Sequence, residues 1–153
     1  MPTLNAKTVV LGLCGGIACY KGAELVRGLV KEGAKVLVIL TRAAQQFITP
    51  LTLQTLSGNP VSTDTFDLTQ ESEIGHIRLA DSAQAMVVAP ATANVIAKLA
   101  HGIADDLLTT VALATRAPIV VAPAMNVNML NNRIVQRNIE RLRESGMHVV
   151  DPE

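Results

Sequence analysis

The 153-residue sequence has few aromatic residues, few cysteines and no excess of either charge. Tryptophan is absent and aromatic residues make up 2% of the chain, so the side chains on which single-strand nucleic-acid binders stack bases are missing. The formal net charge is zero, which excludes the basic surface of a nucleic-acid-binding domain. No apolar run approaches the roughly 18 residues of a membrane span, and the first residues lack a signal-peptide pattern. We therefore predict a cytoplasmic protein with neither nucleic-acid nor membrane partners.

The two cysteines, Cys14 and Cys19, lie close together near the start of the chain. Without a secretory signal we expect reduced thiols, and two cysteines without a matching His or Cys pair do not form a zinc site. A hydrophobic fraction of 49% is ample for a core and is also compatible with burial in an oligomer. The length and composition therefore predict one domain over residues 1–153, without a metal.

Short apolar runs alternate with helical patterns along the chain. The runs predict buried strands over 8–13, 35–40, 85–90, 119–122 and 147–150. Periodic or capped segments predict helices over 17–32, 41–47, 49–56, 91–100, 105–115 and 128–145, the last with Ile134, Ile139 and Leu142 towards the core. Residues 61–72 predict a loop with a short edge strand, and Ile74 to Ile77 continue this irregular region. The pattern indicates a three-layer α/β fold: a Rossmann-like (flavodoxin-like) parallel sheet with helices on both faces.

Unusual residues follow four of the predicted strands, in the segments Cys14–Ile17, Thr41–Arg42, Pro90–Asn94 and Pro123–Asn126. In a parallel sheet the carboxyl ends of the strands share one edge, so these segments can form one crevice. Gly15 and Gly16 let the backbone approach a phosphate at the start of a helix, although a tight turn without a ligand is the alternative. A G-x-G-x-x-G fingerprint, a Walker A loop and an acid after the second strand are all absent, which disfavours an NAD site.

Several neutral polar side chains in these segments have both a binding and a capping interpretation. Thr41, Thr92 and Asn94 offer hydroxyls and an amide to a phosphate or a heterocycle, and each could instead cap a helix. Asn126 follows an apolar strand and could hold a carboxylate or a polar ring edge without carrying charge. The alternative, an N-cap, has equal weight for Asn126.

The three histidines have different settings. His101 precedes Gly102 at the end of a predicted helix, which favours a contact with that helix end, and His148 lies in a predicted edge strand. His76 could be structural, but it is the best candidate acid or base, because imidazole exchanges protons near neutral pH.

Five segments carry a resemblance to a known family. They are Val10–Lys21, Phe47–Leu51, Gly75–Ile77, Ala89–Asn94, and Pro123–Asn126 with Met129. In this order and spacing, the chain resembles the flavin-dependent cysteine decarboxylases. It is most similar to the phosphopantothenoylcysteine decarboxylases, which in bacteria form one half of a bifunctional protein of coenzyme A biosynthesis and are fused to a phosphopantothenate–cysteine ligase domain.

The resemblance implies an FMN-dependent decarboxylation of 4′-phosphopantothenoylcysteine to 4′-phosphopantetheine, through oxidation of the cysteine thiol moiety. It implies that His76 is the acid or base and that Asn126 holds the substrate carboxylate, with Met125 and Met129 shaping the substrate pocket. The implied FMN contacts are Gly15, Gly16, Ile17, Thr41, Thr92, Ala93 and Asn94, with Phe47 near the ring. The family binds FMN between subunits of a trimer, so a trimer-based homo-oligomer, up to a dodecamer, is expected.

The sequence departs from the family at its end. Family members carry a cysteine in a flap after the last strand, whereas this chain stops at Asp151-Pro152-Glu153. We expect a fragment, without flap and ligase domain, that binds FMN and decarboxylates oxidatively but does not complete the reduction. A peptidyl-cysteine decarboxylase, a non-catalytic FMN-binding regulatory relative and a flavin prenyltransferase are the alternatives. The Pro-Ala-Met-Asn segment argues against the prenyltransferase, and the presence of both His76 and Asn126 argues against the non-catalytic relative.

Overall fold

Five parallel strands form one sheet in a computed structural model that describes residues 3–63 and 72–151. The strands are β1 Thr8–Leu13, β2 Lys35–Leu40, β3 Ala85–Ala91, β4 Ile119–Pro123 and β5 His148–Val149. They lie in the order β2-β1-β3-β4-β5, and every neighbouring pair is parallel. This confirms the predicted parallel sheet, with the strand order of flavodoxin-like folds.

Helices connect the strands and cover both faces of the sheet. In the described residues they are α1 Cys19–Lys31, α2 Pro50–Ser57, α3 Ser72–Ser82, α4 Ala93–His101, α5 Leu107–Ala114, α6 Val127–Leu130 and α7 Arg133–Glu144. A short 3-10 turn over Ala44–Gln46 precedes α2. Within these ranges, no helix has both the length and the apolar character needed to cross a membrane.

Two apolar cores lie on the two faces of the sheet. Because successive side chains of a strand point to opposite faces, β1 contributes to both cores. Leu11 and Leu13 pack with Val26 of α1 and Leu53 of α2 on one face. On the other face Val10 belongs to the core that receives side chains of α4, α5 and α7, namely Ile96, Leu108 and Leu142. The three-layer architecture is therefore confirmed.

The segment around His76 is helical, and its assignment to an irregular region was wrong. Ile74 to Ile77 lie within α3, which packs against α5. Among the α3 residues whose side chains the structure describes, Leu79 and Ala80 contact the core. Such a narrow apolar stripe gives a weak periodic signal, so tertiary packing decides the helix rather than local pattern. Ahead of it, Ser62 forms a parallel bridge to Ile39, in line with the short edge strand, and residues 64–71 lie outside the described ranges.

The long helix predicted over 128–145 is broken into α6 and α7. The side chain of Asn132 accepts a hydrogen bond from the backbone N–H of Ile134 at 2.8 Å, which starts a new helix. A second start resets which positions face the core. Ile139 and Leu142 are buried as predicted, but Ile134, in the first turn of α7, is 66% exposed, which corrects its assignment to the core.

Candidate functional site

The four predicted turns all follow carboxyl ends of strands, and two of them flank a topological switch point. β1 lies between β2 and β3, so the chain leaves β1 towards one neighbour and returns to the sheet on the other side. Open α/β sheets bind ligands in the crevice formed where the strand order reverses. The turn after β1, which contains Gly15 and Gly16, and the turn after β3, which contains Thr92, therefore border the candidate site.

Close contacts hold the turn after β1 in place. The backbone N–H of Cys14 donates to the carbonyl oxygen of Pro90 in β3 at 3.2 Å, and the thiol of Cys19 donates to the carbonyl oxygen of Cys14 at 2.8 Å. A Cβ added to Gly15 would lie 2.4 Å from the Cβ of Ala43, whereas a Cβ added to Gly16 would have no neighbour within 4 Å. Gly15 is thus required by packing against the turn after β2, and Gly16 faces open space.

α1 differs from the other α-helices whose starts are described, because no side chain caps its amino end. α1 begins after Ala18, whose side chain forms no cap. In α2, α4, α5, α6 and α7, by contrast, the side chain of the N-cap residue accepts a hydrogen bond from a backbone N–H of the first turn. The backbone N–H groups of residues 15, 17 and 18 donate no hydrogen bond to any residue that the structure describes, whereas that of Gly16 is hydrogen-bonded to the sulfur of Cys19. Uncapped N–H groups at a helix start attract anions, because they add to the positive end of the helix dipole.

Thr92 is the N-cap of α4, as the alternative interpretation predicted, and Thr41 forms a similar hydrogen bond ahead of the 3-10 turn, whose own N-cap is Ala43. The Thr41 hydroxyl oxygen accepts from the backbone N–H of Ala44 at 3.1 Å, and that of Thr92 accepts from the N–H of Val95 at 3.2 Å. A hydroxyl that accepts a cap bond still has its own proton to donate. Both threonines therefore remain able to donate to a ligand oxygen at the crevice.

Asn126 is the N-cap of α6, and only the oxygen of its side-chain amide is used for the cap. Its Oδ1 accepts from the backbone N–H of Met129 at 2.9 Å. Its Nδ2 forms no hydrogen bond with the described part of the chain. The capping interpretation is confirmed, and because an amide nitrogen carries two protons, donors remain for an anionic or carbonyl ligand.

An apolar cavity of about 310 Å³ lies between α1 and the ends of β3 and β4. Its lining consists of small or apolar residues and one cation: Ala18, Lys21, Gly22, Leu25, Ala89, Pro90, Ala122, Pro123 and Ala124. The α1 members recur at helical spacing, which is the signal that could have identified Lys21 from the sequence. A larger cavity of about 600 Å³ lies at the opposite edge, beside the start of β4, and we assign the site to the smaller one because α/β ligands bind at carboxyl ends.

Apolar side chains are exposed around the same edge. Ile17 is 81% exposed, Phe47 54% and Met129 44%, whereas Met125 is half-buried and packs against the core. Ala93 and Asn94 form the first turn of α4, with Asn94 exposed. Large apolar side chains exposed around a ligand crevice suit contact with a flat ring or a second protein chain.

The thiols are not reactive groups of the site. Burial raises the pKa of the Cys14 thiol to about 12, and burial also raises the pKa of Cys19. A thiol of raised pKa carries little thiolate at neutral pH and is a poor nucleophile. Both cysteines are free and buried, so their role here is in packing and in holding the turn after β1.

His76 and Asn126 are positioned by different helix pairs. His76 is half-buried on α3, which packs against α5, whereas Asn126 caps α6, which packs against α7. The residues after β1, β2, β3 and β4 thus share one edge of the sheet, while the predicted acid or base is carried on α3, which packs in the same helix layer as α5.

Comparisons with known proteins agree with this architecture. A family model described as Flavoprotein matches residues 2–153. The chain is 52% identical to the coenzyme A biosynthesis bifunctional protein CoaBC of Bacillus subtilis over 149 residues, covering 97% of this chain and 37% of that protein. It is 49% identical to the protein of the same name from Vibrio parahaemolyticus over 152 residues, covering 99% and 38%. The chain thus spans less than two fifths of the length of these relatives.

Solved structures of cysteine decarboxylases have the same fold as this chain. The crystal structure of the FMN-dependent cysteine decarboxylase SpaF has a TM-score of 0.89 at 35% identity, covering 99% of this chain and 87% of that one. A mutant PPC decarboxylase complexed with pantothenoylaminoethenethiol has a TM-score of 0.82 at 28% identity, covering 97% and 84%. The shared fold extends over almost the whole chain in both cases.

Proposed function

This chain belongs to the Flavoprotein family, and within it to the FMN-dependent cysteine decarboxylases; from that premise we propose that it binds FMN and decarboxylates 4′-phosphopantothenoylcysteine in coenzyme A biosynthesis. The reaction makes it a carbon–carbon lyase. The observation that carries the proposal is the pairing, at one sheet edge, of the open amides of residues 15, 17 and 18 with the open donors of Asn126. The first suits an anionic cofactor and the second a substrate carboxylate.

The crevice fits the phosphate and ribityl chain of FMN. The N–H groups of residues 15, 17 and 18 lack acceptors among the described residues, and the open space at Gly16 lets a ligand approach the backbone. The other groups that would hold the cofactor are Ile17, Thr41, Thr92, Ala93 and Asn94, with Phe47 against the ring. When bound, FMN supplies the two-electron oxidation at the thiol-bearing carbon that makes loss of carbon dioxide possible.

Asn126 suits a carboxylate that must leave as carbon dioxide. Its Nδ2 protons can orient the carboxylate without a positive charge. A cation at this point would stabilise the charged ground state more than the transition state, in which that charge leaves the carboxylate. Met125 and Met129 would form apolar walls beside Asn126, which favours loss of the charge.

His76 would act as the acid or base, and a second copy of the chain would complete the site. The helix that carries His76 is separate from the one capped by Asn126, and in this family the cofactor lies between subunits. On the α1 side of the sheet, Val120 and Ala122 of β4 are only half-buried, and Ile17 is exposed at its edge. These surfaces support a trimer-based homo-oligomer, and the reduced state of both cysteines supports a cytoplasmic location.

The proposal is tested first by the absorption spectrum of the purified chain, with mass spectrometry of the released cofactor. We expect a yellow protein that releases FMN and releases carbon dioxide from 4′-phosphopantothenoylcysteine. His76→Ala should keep the flavin and lose turnover. Asn126→Asp should keep its cap, because a carboxylate oxygen also accepts from Met129, yet lose turnover because the donors are gone.

His148→Ala is the matched control, since His148 is an exposed histidine in β5 and should leave turnover unchanged. A chain that folds but takes up no FMN would contradict the cofactor assignment. Turnover by His76→Ala at the wild-type rate would contradict the role of His76 alone.

A peptidyl-cysteine decarboxylase is the second candidate. SpaF, an FMN-dependent cysteine decarboxylase, is matched over 87% of its length, against 37% for the CoaBC protein of Bacillus subtilis. The higher identity to the CoaBC proteins, 52% against 35%, favours the coenzyme A substrate. Parallel assays with 4′-phosphopantothenoylcysteine and with a peptide that ends in cysteine distinguish the two by their kcat/KM values.

A further inference from the structure

Arg42 is the one charged residue in the four turns that form the candidate crevice. The segments 14–18, 41–47, 90–95 and 123–132 otherwise contain only glycine, proline, apolar and neutral polar residues. The four turns therefore offer backbone N–H groups, hydroxyls and amides to a ligand together with one full charge, and Lys21 of α1 adds a second cation at the adjoining apolar cavity. A cation on an otherwise neutral turn strengthens binding most where the ligand carries a complementary negative charge.

Packing places Arg42 beside the uncapped start of α1. The Cα of Gly15 packs so closely on Ala43 that an added Cβ would lie 2.4 Å from the Cβ of Ala43 and 2.8 Å from its carbonyl carbon. The turn after β2, which contains Arg42, thus abuts the turn after β1 at Gly15. Arg42 is exposed, and its guanidinium forms no hydrogen bond or ion pair with the residues that the structure describes.

We propose that Arg42 determines the preference of this crevice for a phosphorylated flavin over the unphosphorylated one. The inference rests on the proposed function, because it assumes that the flavin occupies this edge. A phosphate monoester is largely dianionic at neutral pH, and neutral N–H donors can satisfy its oxygens without balancing its charge. Arg42 supplies the charge, and its planar guanidinium matches two phosphate oxygens at once.

The test is a fluorescence titration of the flavin-free chain with FMN and with riboflavin, in wild type and in Arg42→Gln. An exposed charge-assisted hydrogen bond lies at the lower end of the usual range, so Arg42→Gln should weaken FMN binding about tenfold. Riboflavin binding should not change. Arg42→Lys keeps the charge and should retain most of the FMN affinity.

Two further readouts separate a charge effect from a folding defect. FMN affinity should fall with ionic strength in wild type and much less in Arg42→Gln, because screening acts on the charge pair. Arg116→Gln is the matched control, since this exposed arginine lies before β4 at the opposite edge, and its FMN affinity should equal that of wild type.

The outcomes distinguish this inference from the proposed function. If wild type prefers FMN and Arg42→Gln keeps the full preference, the role of Arg42 is overturned and the flavin site stands. Equal losses of FMN and riboflavin affinity in Arg42→Gln would also overturn the inference, because they would show that Arg42 maintains the conformation of the turn and does not recognise the phosphate. If wild type binds neither flavin, the proposed function fails and the inference fails with it.

Discussion

Substituting Gly15 by alanine tests whether contact between two turns holds the crevice together. The new Cβ would lie 2.4 Å from the Cβ of Ala43 and 2.8 Å from its carbonyl carbon. The second atom belongs to the backbone, so a side-chain rotation cannot relieve the clash and the turn after β2 must move. Overpacking of this kind costs about 1–3 kcal/mol.

The net loss is smaller, because alanine also restricts the unfolded chain. That effect stabilises the folded state by about 0.4–1 kcal/mol wherever the backbone conformation allows alanine. Gly15→Ala should therefore lower the free energy of unfolding by about 1–2 kcal/mol, which lowers Tm by about 2–8 °C in a domain of this size. Urea unfolding followed by circular dichroism measures the change.

Gly16→Ala is the matched control, since its Cβ would meet nothing within 4 Å. We expect it to keep wild-type stability while weakening FMN binding, because the added methyl would occupy the space proposed for the cofactor. Adding Ala43→Gly to Gly15→Ala should restore part of the stability, because the clash with the carbonyl carbon remains. A Gly15→Ala protein as stable as wild type would refute this account of the contact.

Two further predictions concern the residues next to the crevice. Asp106 caps α5 through a reciprocal capping box with Thr109, in which its Oδ1 accepts from the Thr109 N–H at 2.8 Å. Asp106→Ala should lower the free energy of unfolding by about 1–2 kcal/mol. The control Asp105→Ala, which removes an exposed ion pair to Lys98, should lower it by about 0–1 kcal/mol. Equal losses in urea unfolding would contradict the capping role. The pKa of Cys14 is raised by burial from 9.0 to about 12, so the folded state retains this proton more tightly than the unfolded chain. The contribution of this proton to stability is complete below pH 9 and falls as the pH rises towards 12. The free energy of unfolding of Cys14→Ala should therefore decline less steeply than that of wild type between pH 9 and 12. An unchanged slope would contradict the burial of the Cys14 thiol as the cause.

Much of the fold was predictable because its strands are buried on both sides. Runs such as Val9 to Leu13 are apolar at consecutive positions, which is typical of parallel strands covered by helices, and the strand ranges agree with the structure to within two residues. Parallel strands also bring their carboxyl ends to one edge, so four separate segments could be assigned to one crevice. These inferences need only local sequence and general rules of topology.

Contacts between segments distant in sequence could not be predicted. The helix around His76 depends on packing against α5, and its own pattern is too weak to identify it. The separation of α6 from α7 depends on which of several adjacent asparagines acts as a cap, and neighbouring asparagines have similar propensities. The approach of Ala43 to Gly15, which places Arg42 at the crevice, joins residues that no periodicity relates.

The use of only the oxygen of the Asn126 side-chain amide for the cap has a consequence for which residues can replace Asn126 during evolution. Its oxygen caps the helix and its nitrogen has no partner among the described residues, so under the proposed function two separate constraints act on one position. A descendant that lost the reaction could replace Asn126 by aspartate, serine or threonine and keep α6, because each of these residues caps a helix. If Asn126 holds the substrate carboxylate as proposed, a descendant that kept the reaction would need the carboxamide itself, and the residue at this position would then distinguish lineages that retained the chemistry from those that retained only the architecture.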